Sequence, residues 1–530
     1  MYYSDYSAQH YQDMLFKVGG YDGPNGEDLI TGYDYYLKES GGSLLFTGKV
    51  YGWVTADHDV AYYGGNDPNN NDQDKNVEPL IIEAVTKAVN QYNIDLTEYD
   101  QEDPYDLDAD GNVEEPDGFI DHVMIYHSTI GEEAGGGPQG EDAIWSHRFF
   151  VNPTGRVSTM GVEIAQGKKL FGYTIQPIDA AVGVSVHEFG HDLGVPDEYD
   201  TNGNRGDSAG SPVGLWSLMA AGSWVGAIPG SQPSSFSPYA RDYYQKRYGG
   251  NWVTKKTVSL SEIQHPGQSI DLTSWNDTSG NATNLLEVDL GNIDVPFFAP
   301  YAGNWQYYSG RGDNLSNTWT QTVSLPSATS LTLKMQAHWN IETDWDYVQV
   351  TVNGTPVAGN HTKATNPRHS TVTNYISGKS SDITGGSEPA WVELTFDLSQ
   401  YSGQTVTLGV KYVTDQNTGG YGFVMDNLVV EADGSVAWSD DAETDGLATM
   451  KGFARIGDRS PGKKAYYWVQ LRDHAGNDAG LKGRGYKQGV LVWYRNENVT
   501  DNKVSDHPGE VFLGVVDADQ TPITSGSGYA

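Results

Sequence analysis

Apolar positions along residues 1–250 follow two different periods. Residues 43–55 (SLLFTGKVYGWVT) alternate apolar with polar side chains, which predicts a strand. In residues 77–92, Leu80, Ile81, Ala84, Val85, Ala88 and Val89 recur at helical spacing, predicting a helix with one face on a sheet. Residues 118–127 (GFIDHVMIYH) read as a buried strand. Residues 180–193 read as a helix stopped by Gly194, with Pro196 just beyond, since glycine accepts a terminal turn and proline cannot continue one.

Past residue 255 the texture changes to short β runs separated by turn residues. Residues 330–337, 345–352, 391–398 and 405–413 are examples, and they predict an antiparallel sandwich or jelly roll. Further strands are expected at 464–471, 489–494 and 511–517, and residues 66–76 (NDPNNNDQDKN) form a polar loop. The strand-like runs 284–290 and 465–471 suggest one β domain interrupted by another. The expected organisation is a catalytic domain over 1–255, a discontinuous β domain of 256–292 plus 437–530, and a jelly roll over 293–436.

Composition narrows the class. The chain has 530 residues, enough for several domains. Its 32 Lys+Arg against 70 Asp+Glu give a net charge of −38, which argues against nucleic-acid and anionic-membrane partners. With no cysteine, disulfides, thiolate metal sites and cysteine nucleophiles are excluded. No apolar run reaches membrane-spanning length, and 14 Trp, 34 Tyr and 14 Phe supply large faces to bury. Residues 1–5 lack the basic start and apolar core of a signal peptide. The acidic, cysteine-free chain is expected to be an exported protein whose leader is not included.

The chemistry centres on His187-Glu188-Phe189-Gly190-His191. Residues four apart share a helical face, so His187 and His191 offer two imidazole nitrogens to one ion. Glu188 stands beside them, able to take a proton from a metal-bound water. Catalytic zinc takes three protein ligands and keeps one position open. Gly194 allows a sharp turn, and Asp197 follows as the third ligand, with the adjacent Glu198 as its rival. Downstream, Met219 lies in WSLMAAGSW, where a methionine turn could floor the ligand triad.

HEFGHDLGVPDEYD, WSLMAAGSW, DLDADGNVEEPDGFIDH, HPGEVFLGVVD and the opening YSAQHYQDMLF resemble the immune inhibitor A family of secreted bacterial metallopeptidases, over nearly the whole chain. The resemblance implies a multidomain protein: an α+β metzincin-like zinc peptidase domain followed by all-β domains, one a jelly-roll or MAM-like sandwich. It implies zinc-dependent endopeptidase activity, structural calcium, and synthesis with a signal and a propeptide. By position, His187, His191 and Asp197 would bind zinc, Glu188 would be the base and Met219 the methionine turn. Ala221 stands where metzincins with a tyrosine ligand carry that tyrosine, so no tyrosine switch is assigned.

Acidic clusters point to calcium. Asp106, Asp108 and Asp110 place oxygens at alternate positions of a loop, followed by Gly111 and Asn112, with Glu114 and Asp117 closing it. Asp313, Glu342, Asp344, Asp346 and Asp426 look like the acidic positions of calcium-holding jelly rolls, or alternatively solvated turns. Arg311-Gly312-Asp313 spells an adhesion tripeptide, with Asp313 read instead as a turn residue or ligand. His122, His127 and His147 are expected to be structural, and Gly135–Gly137 a cleft border or flexible loop. Substrate is expected as an added strand near residues 143–150, and the negative charge favours cationic peptides. Two other readings stand beside the peptidase: a calcium-dependent adhesion or carbohydrate-binding protein, and a zinc hydrolase of non-peptide bonds.

Overall fold

The computed structural model describes residues 5–516 apart from 25, 27, 28, 68–72, 105, 107–109, 154–158, 202–210, 265–268 and 418, together with short strand pairings at 28–29, 524–525 and 528–529. The chain divides into two compact units, residues 1–291 with 464–530, and residues 292–463.

The first unit is built on a three-stranded sheet. Val123–His127 runs parallel to Gly172–Pro177, whose other side takes His147–Phe150 antiparallel. The central strand is buried from Tyr173 to Pro177, because helices cover both of its faces. On one face the helix Val77–Tyr92 packs Leu80, Ile81, Val85 and Val89 against Ile120, Leu170, Tyr173 and Ile175. On the other, the helix Val182–Asp192 brings Val182, Val186 and Phe189 to Tyr11, Met14, Leu15, Tyr35, Tyr36, Phe236 and Tyr244. Each fully buried aliphatic or phenyl group contributes about 1.5–3 kcal/mol of transfer free energy.

Two sequence expectations change here. Residues 44–56 form no strand. Side chains of neighbouring helices take up several of their backbone groups instead: Val50 N–H donates to Gln12 Oε1 at 2.9 Å, and Gln12 Nε2 donates to the Gly48 carbonyl at 3.1 Å. Lys87 Nζ donates to the Thr55 carbonyl at 2.8 Å. The strand expected over 118–127 is regular only from Val123, because Ile120 N–H is used by the Lys169 carbonyl at 2.8 Å.

A second sheet orders Lys255–Ser259, Leu285–Pro296, Arg459–Arg472, Gly489–Asn496 and Leu513–Val515. Strands from before and after the second unit are therefore neighbours in one sheet, over a core holding Trp275, Trp468, Trp493 and Phe512. Buried charge ties this part of the unit to its helices. Arg241 Nε donates to Glu39 Oε2 at 2.8 Å, and Asn477 Nδ2 donates to Glu39 Oε1 at 2.7 Å.

The second unit has two sheets over one core. The larger orders Val392–Asp397, Leu331–Asn340, Gly422–Ala432, Gln306–Tyr308 and Ala454–Ile456, with Ser435–Asp440 also on Gly422–Ala432. The smaller orders Thr355–Pro356, Tyr347–Val352, Thr405–Val413, Ser316–Ser324 and Thr449–Lys451. Leu333, Met335, Val348, Val350, Leu394, Leu408 and Met425 fill the space between. Residues 437–463, expected in the flanking β domain, pair inside this unit because Trp438, Met450 and Phe453 pack on its core. No helix of the described residues is long and apolar enough to cross a membrane.

Candidate metal centre

The helix Val182–Asp192 is enclosed from Val182 to Gly190. Its carbonyls are held from outside: the hydroxyls of Tyr36 and Tyr244 donate to Val186 and Gly190 at 2.7 and 2.9 Å. The helix lies close to the 217–225 turn. A Cβ on Gly190 would stand 2.7 Å from Met219 Sδ, and one on Gly183 only 2.0 Å from the Ser223 carbonyl oxygen. Glycine at these two positions is what allows the approach. Met219 is fully buried under the helix, and Ala221 supplies no hydroxyl there.

Three ligand atoms converge above this floor. His187 Nε2 and His191 Nε2 are 3.2 Å apart, and Asp197 Oδ1 lies 3.3 Å from the first and 3.1 Å from the second. Gly194, at φ +108°, makes the bend that returns Asp197 to the histidines. Both Nδ1 atoms face carbonyls at 2.8 Å, His187 to Leu218 and His191 to Val195. An Nδ1–H donating to each carbonyl leaves an Nε2 lone pair aimed at the shared point. Two lone pairs and a carboxylate facing one another fit a cation such as zinc. For Asp197, burial pushes upward, but the His191 charge and hydrogen bonds from both rings hold it well below the usual carboxylate range. Burial opposes protonation of His191 while Asp197 favours it, and the net shift is upward.

Glu188 is 5 % exposed, and its Oε2 is buried without a partner. Burial pushes its carboxyl up to about 8, with the charges of Asp197 and Glu133 adding to the rise. Glu198 does not join the cluster. It is fully buried, Ser237 Oγ donates to its Oε1 at 2.5 Å, and its N–H donates to the Met219 carbonyl at 2.8 Å.

Two further groups stand near this point that sequence reading did not single out. Glu133 receives Ser146 Oγ at 2.5 Å and Ser146 N–H at 3.1 Å, one residue before the edge strand His147–Phe150. Tyr199 is partly buried, and burial followed by the Asp197 and Glu188 charges raises its phenol. Tyr199 lies within the motif, two residues beyond Asp197, so its position was available; Glu133 is 55 residues from Glu188 and carried no local signal.

The other histidines lie outside the cluster. His122 bonds Asp192 and Glu102. His127 Nδ1 meets Thr129 Oγ1 at 2.9 Å, and burial holds its ring down at about 3. His147 bridges the Trp145 carbonyl and Tyr173 hydroxyl. Gly135–Gly137 run between two short helical turns, Glu132–Ala134 and Gly140–Asp142.

The acidic loop is partly visible, since Asp108 lies outside the described residues. Asp106 Oδ1 accepts from Gly111 N–H at 3.0 Å, Asp110 Oδ1 from Asn112 N–H at 2.7 Å, and Asn112 Oδ1 from Glu114 N–H at 3.2 Å. Asp117 Oδ1 accepts from Phe119 N–H, and burial raises its carboxyl to about 6. Among the described residues this loop gathers no three ligand atoms around one point.

The five acidic residues named in the β region do not all share one point. Asp344 turns to Lys363 Nζ and the Tyr375 hydroxyl, both at 2.6 Å. Asp426 is buried and accepts from Ala302 N–H, and Asp313 is exposed. Only Glu342 and Asp346 of the five cluster, and their third member is Asp415, which the sequence reading did not name.

Comparison with known proteins agrees along the whole length. The immune inhibitor A peptidase M6 catalytic domain matches residues 1–253, the immune inhibitor A-like MAM domain 267–458, and the immune inhibitor A-like metallopeptidase VEG domain 462–530. The pre-pro-metalloprotease PrtV of Vibrio cholerae serotype O1 is 41% identical over 99% of this chain and 56% of its own length. Immune inhibitor A of Bacillus thuringiensis subsp. alesti is 36% identical over 98% of this chain and 75% of its own. The chain thus spans little more than half the length of the first of these relatives.

Proposed function

This chain belongs to the immune inhibitor A family of metallopeptidases, and we propose that it is a zinc-dependent endopeptidase of metzincin-like build. The observation that carries this reading is the meeting of His187 Nε2, His191 Nε2 and Asp197 Oδ1, with both histidine Nδ1 atoms already committed to carbonyls. These three atoms would hold the ion. When bound, zinc supplies the Lewis acid that polarises a scissile carbonyl and acidifies water.

The protein's own groups do the rest. Glu188 takes a proton from the attacking water on Oε2, the oxygen left without a partner, and delivers it to the leaving amine nitrogen. Its raised affinity for a proton suits both halves of that transfer. Met219 fills the space beneath the ligands and fixes the height of the helix. The substrate backbone pairs as an added strand along His147–Phe150, the outer strand of the three-stranded sheet. A net charge of −38 favours cationic peptides at low salt.

In the same reading the protein is secreted, and its propeptide holds it inactive until removed. Residues 256–291 with 464–530 form a discontinuous β domain, the inserted unit is a jelly roll, and calcium has a structural role, including at the loop 106–117. The test is metal analysis combined with casein hydrolysis, before and after chelation. One zinc per chain and activity abolished by chelator, then restored by zinc, are expected; full activity in zinc-free protein overturns the reading.

A further inference from the structure

The three proposed ligands are not held alike. His187 and His191 lie four apart on one helix, and the Leu218 and Val195 carbonyls brace their rings. Asp197 lies past Gly194 on a bend that belongs to no helix or strand. A ligand on irregular backbone keeps its place only if its neighbours are anchored.

Residues 198–200 carry those anchors, and they reach the far end of the chain. The two peptide groups flanking Glu198 are each tied down. Its N–H donates to the Met219 carbonyl at 2.8 Å, and its own carbonyl accepts from Asn502 Nδ2 at 2.7 Å. Asn502 stands 304 residues further along and is 1 % exposed. Its Nδ2 also donates to the Leu513 carbonyl at 2.8 Å, and its Oδ1 accepts from Leu513 N–H at 3.0 Å. Leu513 opens the strand Leu513–Val515, which pairs with Gly489–Asn496. One buried amide thus joins the bend behind Asp197 to a sheet, with both of its hydrogens spent. Tyr199 packs on the core that contains Trp468, Trp493 and Phe512, and Asp200 Oδ2 accepts from Ser505 N–H at 2.7 Å.

We propose that Asn502 is a positioning residue of the metal centre, setting Asp197 through the carbonyl of Glu198. This rests on zinc being the ion held by His187, His191 and Asp197. Asn502 touches neither ion nor substrate; it acts through the bend. Without it the Glu198 carbonyl is a buried acceptor with no donor. The bend then shifts to satisfy that carbonyl, and Asp197 Oδ1 leaves the point it shares with the two histidines. The segment that carries Asn502 and Ser505 is therefore part of what makes the zinc site.

The test is the rate of zinc release from the full chain into a colorimetric chelator, at a temperature where every variant is folded. Asn502→Ala should release zinc about 10- to 100-fold faster than wild type. Trp493→Phe separates positioning from general stability. It removes the bond from Trp493 Nε1 to Gln470 Oε1 in the same sheet, and no hydrogen bond to residues 198–200. Its zinc-free form should melt below wild type while its zinc release matches wild type. Asn502→Ser, which leaves a smaller void, should also release zinc faster, and it decides if Asn502→Ala does not fold. Release from the Asn502 variant at the wild-type rate, or equally fast release from Trp493→Phe, overturns the proposal. A wild type that holds no zinc overturns the zinc reading itself, and this proposal with it.

Discussion

His122 Nδ1 lies 2.5 Å from Oδ2 of Asp192, the residue that follows His191 on the helix Val182–Asp192. The other oxygen of Asp192 accepts at 3.2 Å from Nε of Arg148, which lies on the edge strand His147–Phe150. Burial opposes charge on His122, but Asp192 and then Glu102 overcome it and lift the ring to about 10. With the folded value above the ordinary 6.5, the stabilisation is complete below pH 6.5 and lost as pH rises through about 10. His122→Gln should therefore cost on the order of 2 kcal/mol at pH 6 and less at pH 10.5. Urea denaturation at the two pH values measures it. A cost that does not change with pH would mean His122 is neutral.

Glu188→Gln keeps the shape of the side chain and removes its proton chemistry. Turnover should fall by about 100- to 10,000-fold. Zinc content should be unchanged, because the proposed ligand atoms belong to His187, His191 and Asp197. Activity assays run beside metal analysis separate loss of the base from loss of the ion.

The two close glycine contacts should differ in cost. In Gly183→Ala the new methyl meets a backbone oxygen, of Ser223, whereas in Gly190→Ala it meets the movable end of Met219. We expect about 3 kcal/mol for the first and about 1 kcal/mol for the second, from the usual costs of overpacking. Calorimetry on both variants tests the order, and a larger cost at Gly190 would contradict the packing account.

Charge pairs should divide by burial. Arg472 and Asp478 have side chains 1% and 0% exposed and meet at 2.6 Å, and Asp478 Oδ1 also accepts from Ser235 N–H. Asp478→Ala should cost about 3–5 kcal/mol, since it leaves a buried guanidinium uncompensated. Asp57, 68% exposed beside Lys87, should be replaceable by alanine without measurable change. Thermal melts of both variants provide the comparison.

Much of the centre could be read locally. The four-residue spacing of His187 and His191 needs only helical geometry, and Gly194 followed by Asp197 needs only a short bend. The strand at 405–413 and the helix at 77–92 also appear where the pattern predicts them. Residues 43–55 show why pattern is incomplete. Their alternation is real, but a strand requires a pairing partner, and here helix side chains take several of the backbone groups. The far end of the inserted unit escapes the pattern for a similar reason, because Trp438 and Met450 read as generic strand residues while their core partners are distant in sequence.

Asp415 sits 69 residues from Asp346, and Asp192 sits 70 from His122. Nothing in the spacing of either pair announces a contact. What the order of residues determined alone was the chemistry available on each turn: two imidazoles on one helical face, a base between them, and acidic side chains in abundance. Tertiary packing decided which carboxylates lost their water and which charges faced them. Solvation and Coulomb energy depend on distance through space, so Asp344 and Asp346, two residues apart, ended as a partly exposed ion pair and an enclosed oxygen without a donor.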